Sequence, residues 1–278
     1  MECLKGILPA RAANEQIAQE MKDYSGKTPH LAIIRVGEKP DDIAYERSAV
    51  KKMEKVGFLY TQYTFPEQID NEAFQEAFDK INADGEIDGI LLLRPLPKHL
   101  DERAIEQKID PKKDLDGISP INQAKVYAGD ESGFAPCTAE AVVEMLDFAG
   151  IDPQGKRVTV VGRSLVIGKP VAMLLMKRNA TVTVCHTKTK DMPSVCRNAE
   201  ILIAAAGSAK MITPEYVGKD AIVIDVGINV DADGNLCGDV DFDAIESIAG
   251  AASPVPGGVG SVTTSVLAKH LLRACRMR

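Results

Sequence analysis

The stretch Arg157-Val-Thr-Val-Val-Gly162-Arg-Ser-Leu-Val-Ile-Gly168-Lys-Pro170 decides the fold class of this 278-residue chain. Its β-branched run predicts a buried strand, and the segment from Gly162 to Gly168 predicts a turn into a helix. Pro170 suits the first turn of that helix, where its missing N–H is not needed. Free N–H groups at a helix start can bind phosphate, so a nucleotide site and a plain strand–turn–helix junction both fit these residues.

Three further apolar strands follow and are predicted at 180–184, 201–206 and 221–226, with helical segments between at least the first pairs. Strands that alternate with helices form right-handed parallel βαβ units. Their nearly continuous apolar character is typical of a sheet that is covered on both faces. The second half is therefore predicted to be a Rossmann-type α/β domain with a parallel sheet.

The first half also alternates helix and strand patterns, which predicts a second α/β domain. Apolar residues repeat at helical spacing in three segments and form short continuous runs in three others. Helices are expected at 10–24, from Asp41 or Asp42 to about Lys55, and at 71–83, and strands at 30–36, 58–65 and 89–93.

The boundary between the two domains follows a long polar segment, 101–135, that is predicted to be rich in loops and to form a hinge or part of the site. A helix at 139–149 comes next, with Thr138 as its cap. We expect the domains to span 1–140 and 141–261. The final helix, 262–278, is expected to join the first domain.

Composition excludes several classes of function. The chain has 33 Lys and Arg against 40 Asp and Glu, a net charge of −7, whereas a broad nucleic-acid surface needs clustered basic residues. No apolar run approaches the ~20 residues of a membrane span, and the first residues lack an apolar signal core, so a cytoplasmic location is expected. The six Cys and four His are scattered, which predicts neither a disulfide framework nor a metal site.

The end of the second strand bears on the choice of cofactor. An NAD enzyme usually carries an acidic residue here for the ribose hydroxyls. The sequence instead has Cys185-His-Thr187-Lys188, and Arg163 lies in the preceding loop. Hydroxyl and basic groups suit the 2′-phosphate of NADP, which favours NADP over NAD, although a solvated strand end also fits. Ile228, which follows a later strand, is expected on the nicotinamide side.

Six segments, in order along nearly the whole chain, resemble the methylenetetrahydrofolate dehydrogenase/cyclohydrolase (FolD-like) family. They are Gly89-Ile-Leu with Pro95-Leu-Pro97, Lys113-Asp-Leu-Asp116-Gly117, Pro136-Cys-Thr138, Gly162-Arg-Ser164 with Gly168-Lys-Pro170, Asp225-Val-Gly-Ile-Asn229 and Pro254-Val-Pro-Gly-Gly-Val-Gly260. The resemblance implies an N-terminal catalytic domain, a Rossmann-type NADP domain, a folate cleft between them and a homodimer formed through the nucleotide domains.

The resemblance also assigns site residues. Tyr45, which would stack near the pterin, and Asp116, which would hydrogen-bond its ring, are the expected catalytic residues. The remaining folate-binding positions are Ala49, Leu92, Leu93, Arg94, Pro256, Gly257, Gly258, Val259 and Gly260. The positions expected to contact NADP are Gly162, Arg163, Ser164, Thr187 and Ile228.

Two positions depart from the family pattern in a way that changes the expected chemistry. The family helix carries Tyr-x-x-x-Lys, whose Lys is the key cyclohydrolase group, and this chain has Ala49 there. The family strand reads Gln-Leu-Pro-Leu-Pro, and this chain has Leu93 at the Gln. Lys51 and Lys52 are expected on other faces of the helix. Lesser departures are Asp42, Glu46 and Ser261.

Hydride transfer and hydrolysis make different demands on these positions. Transfer from the methylene carbon to nicotinamide needs alignment, with reacting atoms about 3–3.5 Å apart, but no general base. Hydrolysis of the methenyl product needs a group that deprotonates water and protonates a ring nitrogen, which a buried Lys can do. Ala49 and Leu93 cannot, which predicts a dehydrogenase with weak or lost cyclohydrolase activity and a separate hydrolase for its product.

Three alternatives remain open at this stage. The chain could still be bifunctional, with Arg47, Lys51 or Arg94 replacing the missing Lys. It could be a folate- and NADP-binding protein without catalysis. It could also act on a different pterin or one-carbon substrate, since Glu46 and Leu93 change the polarity of the expected site.

Overall fold

A computed structural model describes residues 1–277, which divide into two compact units. The six-stranded unit comprises Met1–Ala12 and Thr138–Thr263, and the three-stranded unit comprises Ala13–Cys137 and the chain from Thr264 onward. This division differs from the predicted 1–140 domain. Residues 1–12 lie in the six-stranded unit, since a two-residue strand near the N-terminus pairs with the sheet there.

The helices are regular and most lie within a few residues of their predicted positions. Within the described chain they are α1 (Ile7–Lys22), α2 (Pro40–Val56), α3 (Asn71–Ala83), α4 (Glu102–Lys108), α5 (Pro120–Ala128), α6 (Cys137–Phe148), α7 (Gly168–Lys177), α8 (Met192–Arg197) and α9 (Gly260–Arg276). A single 3₁₀ turn is formed by Pro214–Tyr216.

The strands fall into two parallel sheets and one short hairpin. They are β1 (Glu2–Cys3), β2 (His30–Val36), β3 (Leu59–Phe65), β4 (Gly89–Leu92), β5 (Arg157–Val161), β6 (Thr181–Cys185), β7 (Ile201–Ala204), β8 (Ile222–Asp225), β9 (Asn229–Val230), β10 (Leu236–Cys237) and β11 (Ala251–Ala252).

The six-stranded sheet has the order β1-β11-β8-β7-β5-β6, and every neighbouring pair is parallel. In the register of the central strands, Val160 lies between Val184 and Ile203. The strands β7 and β8 are almost entirely buried, because helices and loops cover both faces of a parallel sheet. The predicted Rossmann-type parallel sheet is confirmed.

The three-stranded sheet is also parallel, with β2 between β3 and β4. Its core includes Phe74, Phe78 and Ile81, which recur at helical spacing along α3 and are at most 5% exposed. Asp70 caps α3, since its carboxylate accepts the backbone N–H groups of the first turn. The second α/β domain predicted for the first half is therefore present.

Helix α2 begins two or three residues earlier than its acidic residues suggest. Lys39 is the N-cap and Pro40 occupies the first helical position, so neither Asp41 nor Asp42 caps the helix as predicted. The helix ends at Gly57, which adopts a left-handed conformation with φ of 75°.

The segment 101–135, which is predicted to be rich in loops, also contains two short helices, α4 and α5. Asp101 and Ser119 cap these helices by accepting backbone N–H groups. Both helices are shorter than ten residues, too short to show a helical repeat of apolar residues.

Neither a membrane span nor a metal cluster is seen in residues 1–277. No helix there is long and apolar enough to cross a bilayer. Nor do three or more His, Cys, Asp or Glu side chains in that range converge where they could hold a metal ion.

Candidate active site

Asp116 is the partly buried member of a pair of carboxylates in the three-stranded unit. The other member, Asp114, is 1% exposed and accepts backbone N–H bonds from Ile118 and Ser119 at 2.9 and 2.8 Å. Asp114 therefore holds the turn. Asp116 accepts the Cys137 N–H at 2.8 Å, which orients its carboxylate while leaving it partly accessible.

Tyr45, on α2, shares an electrostatic environment with Asp116. Burial raises the pKa of the Tyr45 hydroxyl well above its ordinary value of 10.0, and the proximity of Cys137 and Asp116 raises it further. Burial also raises the pKa of Asp116, which the Cys137 N–H and the positive charge of Arg94 partly offset. The site thus combines a protonated phenol with an anchored carboxylate.

His270 and Cys137 support the backbone next to Asp116. The His270 Nδ1 donates to the Leu115 carbonyl oxygen at 2.8 Å, and the Cys137 thiol donates to the same oxygen at 3.4 Å. Both side chains are at most 2% exposed. Sequence reasoning missed His270, since it lies on α9, 155 residues from Leu115.

Ala49 and Leu93 place apolar groups where the family resemblance expects Lys and Gln. Ala49 lies one turn beyond Tyr45 on α2 and is 0% exposed. Leu93, directly after β4, and Leu92, its last residue, are each 4% exposed. Neither Ala49 nor Leu93 carries a group that can accept or donate a proton.

The basic residues near these positions are engaged elsewhere or exposed. The Lys52 ammonium donates to Asn14 Oδ1 at 2.8 Å and to Ser265 Oγ at 2.7 Å. Burial, with a smaller effect of Lys55, lowers the pKa of Lys52 to about 8. Lys52 therefore links α1, α2 and α9.

The three basic residues that could replace the missing Lys are Arg47, Lys51 and Arg94. Arg47 and Lys51 are exposed on α2. The Arg94 guanidinium donates to Glu106 Oε1 at 2.9 Å and to Glu102 Oε1 at 3.3 Å. Its positive charge is thus shared between two carboxylates of α4.

A buried ion pair explains Glu46, which departs from the apolar family pattern. Glu46 is 3% exposed, and its Oε2 accepts from Arg35 Nε at 2.6 Å. Gln62 donates to the other oxygen at 3.0 Å. These bonds compensate the cost of burying the charge. The sequence showed Arg35 in an apolar strand but not its partner.

In the six-stranded unit, the loop after β5 is closely packed around Gly162. A Cβ at Gly162, whose φ is +131°, would lie 2.1 Å from the Ala205 carbonyl oxygen. A Cβ at Gly168 would lie 2.2 Å from the Gly162 carbonyl oxygen. Ser164 Oγ accepts the Ile167 and Gly168 N–H groups at 3.1 and 3.4 Å. Ser164 therefore binds backbone N–H groups at the start of α7, and the loop that carries it places its backbone beside the end of β5.

The ends of β5 and β6 bring the expected 2′-phosphate residues to one edge of the sheet. The Gly162 N–H donates to the Cys185 carbonyl oxygen at 2.9 Å, which joins the two strand ends. Arg163, Thr187 and Lys188 are all exposed there. A basic, hydroxyl-bearing edge without a carboxylate in 185–188 fits NADP better than NAD.

The segment Pro256–Gly260 leads directly into α9. Within it Gly258 and Val259 are buried, whereas Pro256, Gly257 and Gly260 are exposed. The Gly6 N–H donates to the Gly257 carbonyl oxygen at 2.8 Å, so residues near the N-terminus hold this segment. The segment belongs to the six-stranded unit, whereas Tyr45 and Asp116 belong to the three-stranded unit.

Asp225, the last residue of β8, is a buried carboxylate that sequence reasoning quoted only as part of a motif. It is 2% exposed and accepts backbone N–H bonds from Gly227, Asp239 and Val240 at 2.9–3.0 Å. Burial nevertheless raises its pKa to about 6, and the charge of Asp239 adds to the rise. Ile228, three residues past the strand and expected at the nicotinamide, is 69% exposed.

The raised pKa of Asp225 predicts a pH-dependent stability. Folding favours its protonated form, so its contribution to the free energy of unfolding is complete below pH 3.8 and lost as the pH rises through about 6. From about pH 4 to about pH 7, the wild type should lose on the order of 3 kcal/mol relative to Asp225→Asn. Denaturant titrations measure this difference. Asp243→Asn, an exposed control, should show no such trend, and a pH-independent difference for Asp225→Asn contradicts the raised pKa.

Comparison with known proteins agrees with the division into a catalytic part and a nucleotide-binding part. Residues 4–116 match the model for the catalytic domain of tetrahydrofolate dehydrogenase/cyclohydrolase, and residues 136–278 match the model for its NAD(P)-binding domain. The chain belongs to the tetrahydrofolate dehydrogenase/cyclohydrolase family. The bifunctional protein FolD of Alkaliphilus oremlandii is 50% identical over 277 residues, which cover 99% of this chain and 97% of the relative.

Two solved structures of the tetrahydrofolate dehydrogenase/cyclohydrolase family share the fold throughout. The bifunctional FolD enzyme of Campylobacter jejuni has a TM-score of 0.95 and 35% identity and covers 100% of this chain and 99% of its own. FolD of Trypanosoma brucei, complexed with NADP and an inhibitor, has a TM-score of 0.92 and 34% identity and covers 99% and 97%. The family resemblance predicted from the motifs is confirmed.

Proposed function

We propose that the protein is an NADP-dependent methylenetetrahydrofolate dehydrogenase whose methenyltetrahydrofolate cyclohydrolase activity is weak or lost. One observation carries this proposal. Buried apolar side chains, Ala49 and Leu93, stand at the two positions where the family pattern has proton-transferring Lys and Gln, while Tyr45 and Asp116 are kept. The dehydrogenase half follows from the family, and the loss of hydrolysis follows from this chain's own residues.

The folate site is assigned to the side chains around Asp116. Its carboxylate, oriented by the Cys137 N–H, accepts hydrogen bonds from the pterin ring. The Tyr45 phenol, which stays protonated at neutral pH, packs against the ring and can donate a hydrogen bond. Both side chains orient the substrate, and orientation is the main requirement of hydride transfer. Within the three-stranded unit, Leu92 and Arg94 are the further proposed folate contacts. Pro256–Gly260 is proposed separately as the folate-binding segment of the six-stranded unit.

The NADP site is assigned to the edge of the six-stranded sheet. The backbone N–H groups of the loop between Gly162 and Gly168 would hold the phosphates at the start of α7. Arg163, Thr187 and Lys188 would hold the 2′-phosphate, and Ile228 would contact the nicotinamide. When bound, NADP supplies the hydride acceptor.

Hydrolysis of the methenyl product needs a proton-transferring group that these residues do not provide. Water must lose a proton as it attacks, and a ring nitrogen must gain one, steps that general acid–base catalysis accelerates by about 10²–10⁴. The side chains of Ala49 and Leu93 are hydrocarbons and cannot transfer a proton. A separate hydrolase would then consume the methenyl product.

Bifunctionality is the second candidate, and the names of the relatives favour it, since the Alkaliphilus oremlandii protein is called bifunctional. It would require another base near Ala49. The surroundings of the candidates argue against this, since Arg94 is bound by Glu102 and Glu106 and Lys52 by Asn14 and Ser265.

The dehydrogenase proposal is tested by adding methylenetetrahydrofolate to the purified protein with NADP and, separately, with NAD. We expect enzyme-dependent formation of NADPH, with kcat/KM at least about tenfold higher for NADP because basic groups face the 2′-phosphate. Binding of both ligands without reduction of either cofactor would identify a binding protein instead, and a preference for NAD would contradict the cofactor assignment.

We further propose a cytoplasmic homodimer. The six cysteines are thiols, as is usual for a reducing compartment. The strand β6 forms one end of the six-stranded sheet and exposes Val184, so it can pair with a second copy. Light scattering should give twice the 29.9 kDa chain mass, and a monomer mass would contradict the homodimer.

A further inference from the structure

Asp239 is a fully buried carboxylate to which no role has yet been given. It is 0% exposed and follows the hairpin formed by β9 and β10. Its Oδ2 accepts the N–H groups of Ala206 and Gly207 at 2.6 and 3.0 Å. Its Oδ1 accepts the Ser208 N–H at 2.8 Å and the Asn229 side-chain amide at 2.9 Å. Four donors thus converge on one carboxylate.

These donors belong to two different segments at the same edge of the sheet. Residues 206–208 follow β7, and Asn229 begins β9, the strand that comes after β8. Neighbouring parallel strands end at the same edge, which is where such sheets bind their ligands. Asp239 therefore connects residues 206–208 to Asn229 through hydrogen bonds, and these two segments flank the proposed nicotinamide position.

The Asp225 carboxylate holds the backbone of Asp239 in place. Its Oδ1 accepts the Asp239 N–H at 3.0 Å and the Gly227 N–H at 2.9 Å, and its Oδ2 accepts the Val240 N–H at 2.9 Å. The Asp225 N–H in turn donates to Ser253 Oγ at 2.8 Å. The carboxylate of Asp239 is thereby held on the rigid end of β8.

Two glycines allow the carboxylates to approach the backbone this closely. A Cβ at Gly227 would lie 2.4 Å from the Asp239 carboxyl carbon, and a Cβ at Gly238 would lie 1.9 Å from Asp225 Oδ2. Any side chain at either position would displace a carboxylate. The backbone is therefore shaped around the two carboxylates.

The loop after β7, which contains residues 206–208, also contacts the loop after β5 that runs from Gly162 to Gly168. The Ala205 N–H donates to the Val161 carbonyl oxygen at 2.8 Å, and the Ala205 carbonyl oxygen occupies the space beside Gly162. A shift of 206–208 would therefore be transmitted to the loop that holds the phosphates.

The charges around Asp239 indicate that backbone dipoles stabilise it. The titratable group that faces it is Asp225, a second carboxylate. Lys210, the cation nearest along the chain to 206–208, pairs with Asp231 on the hairpin at 3.2 Å. Four hydrogen bonds to one carboxylate hold its donors firmly, since bonds to a carboxylate are stronger than bonds between neutral groups.

We propose that Asp239 is a positioning residue for the cofactor, because it holds the loops after β7 and β8 in the arrangement that receives the nicotinamide end of NADP. This inference rests on the proposed function, which places the cofactor at this edge. Asp239 acts through the loops and does not touch the substrate. Its loss should therefore weaken cofactor binding and leave folate binding unchanged.

Asp239→Asn tests the proposal, since it keeps the shape and removes the charge and one acceptor. We expect KM and Kd for NADP to rise at least about tenfold, because bonds to a charged acceptor are lost. KM for methylenetetrahydrofolate should stay within about twofold, since Asp239 lies on the cofactor edge. Asp243→Asn, an exposed carboxylate four residues on, is the matched control and should behave like the wild type. Equal losses for folate and NADP would contradict a positioning role.

A milder variant keeps the test valid if Asp239→Asn does not fold. Asn229→Ala removes one of the four donors and leaves the carboxylate in place, and it should raise Kd for NADP about threefold or more with little change in thermal unfolding. Wild-type Kd in a folded Asn229→Ala and a folded Asp239→Asn would overturn the inference. Failure of the wild type to bind NADP would instead overturn the proposed function.

Discussion

The double variant Ala49→Lys/Leu93→Gln is expected to hydrolyse methenyltetrahydrofolate at least about a hundred times faster than the wild-type chain. Ala49 lies one turn beyond Tyr45 and is fully buried, so a Lys there would be partly desolvated and its pKa lowered. A lysine with a lowered pKa can exchange protons with water and with the substrate near neutral pH. Gln at position 93 would add a donor and an acceptor directly after β4.

Neighbouring charges in α2 do not oppose this change. Glu46 is one turn before Ala49, but Arg35 and Gln62 already occupy its carboxylate. A new ammonium at position 49 is therefore not forced into a pair with Glu46.

The matched control is Ala49→Met/Leu93→Gln, which introduces a chain of similar length without the amine. It should hydrolyse the methenyl compound no faster than the wild type, and thermal unfolding should show that both double variants fold. The rate of loss of methenyl absorbance is the measurement. Equal rates for the Lys and Met variants would contradict the role assigned to position 49.

Gly162→Ala is expected to raise Kd for NADP at least about a hundredfold, since an oxygen and a Cβ cannot share the space beside the loop. A Cβ there would lie 2.1 Å from the Ala205 carbonyl oxygen, and the φ of +131° is one that residues with a side chain rarely adopt. The loop must therefore move, and with it the N–H groups that would hold the phosphates.

Gly150→Ala is the matched control for backbone strain. Gly150 also has a positive φ, +66°, but no atom lies within 4 Å of its added Cβ. Gly150→Ala should lower the free energy of unfolding by about 1 kcal/mol and leave Kd for NADP unchanged. Fluorescence titration with NADPH and thermal unfolding separate the two effects. Tight NADPH binding by Gly162→Ala would contradict the assignment of the loop as the phosphate site.

The fold was predictable wherever continuous apolar runs marked buried strands. The strand at 157–161 has its predicted bounds, and β8 lies inside its predicted range, because runs of three or four consecutive β-branched residues are typical of buried strands. The two-residue β1 was not predictable. Its pairing with Ala251–Ala252 depends on a partner about 250 residues away, and no local pattern marks it.

The site was predictable where a motif carries the chemistry itself, as for Asp116 and Gly162. It was not predictable where a side chain acts through distant partners. The hydrogen bond from Lys52 to Ser265 was not predictable, since the two residues are 213 positions apart in the chain. Asp239 was missed for the same reason, since its donors lie 10 to 33 residues earlier in the chain.

The measurement that tests the central claim most directly follows NADPH formation and methenyl absorbance together in the purified wild-type protein. Methylenetetrahydrofolate and NADP are supplied, and the enzyme concentration is varied. We predict that one methenyl equivalent accumulates for each NADPH and then decays at the spontaneous rate of the buffer. Decay of the methenyl compound in proportion to enzyme concentration would contradict the claim that Ala49 and Leu93 have removed the cyclohydrolase.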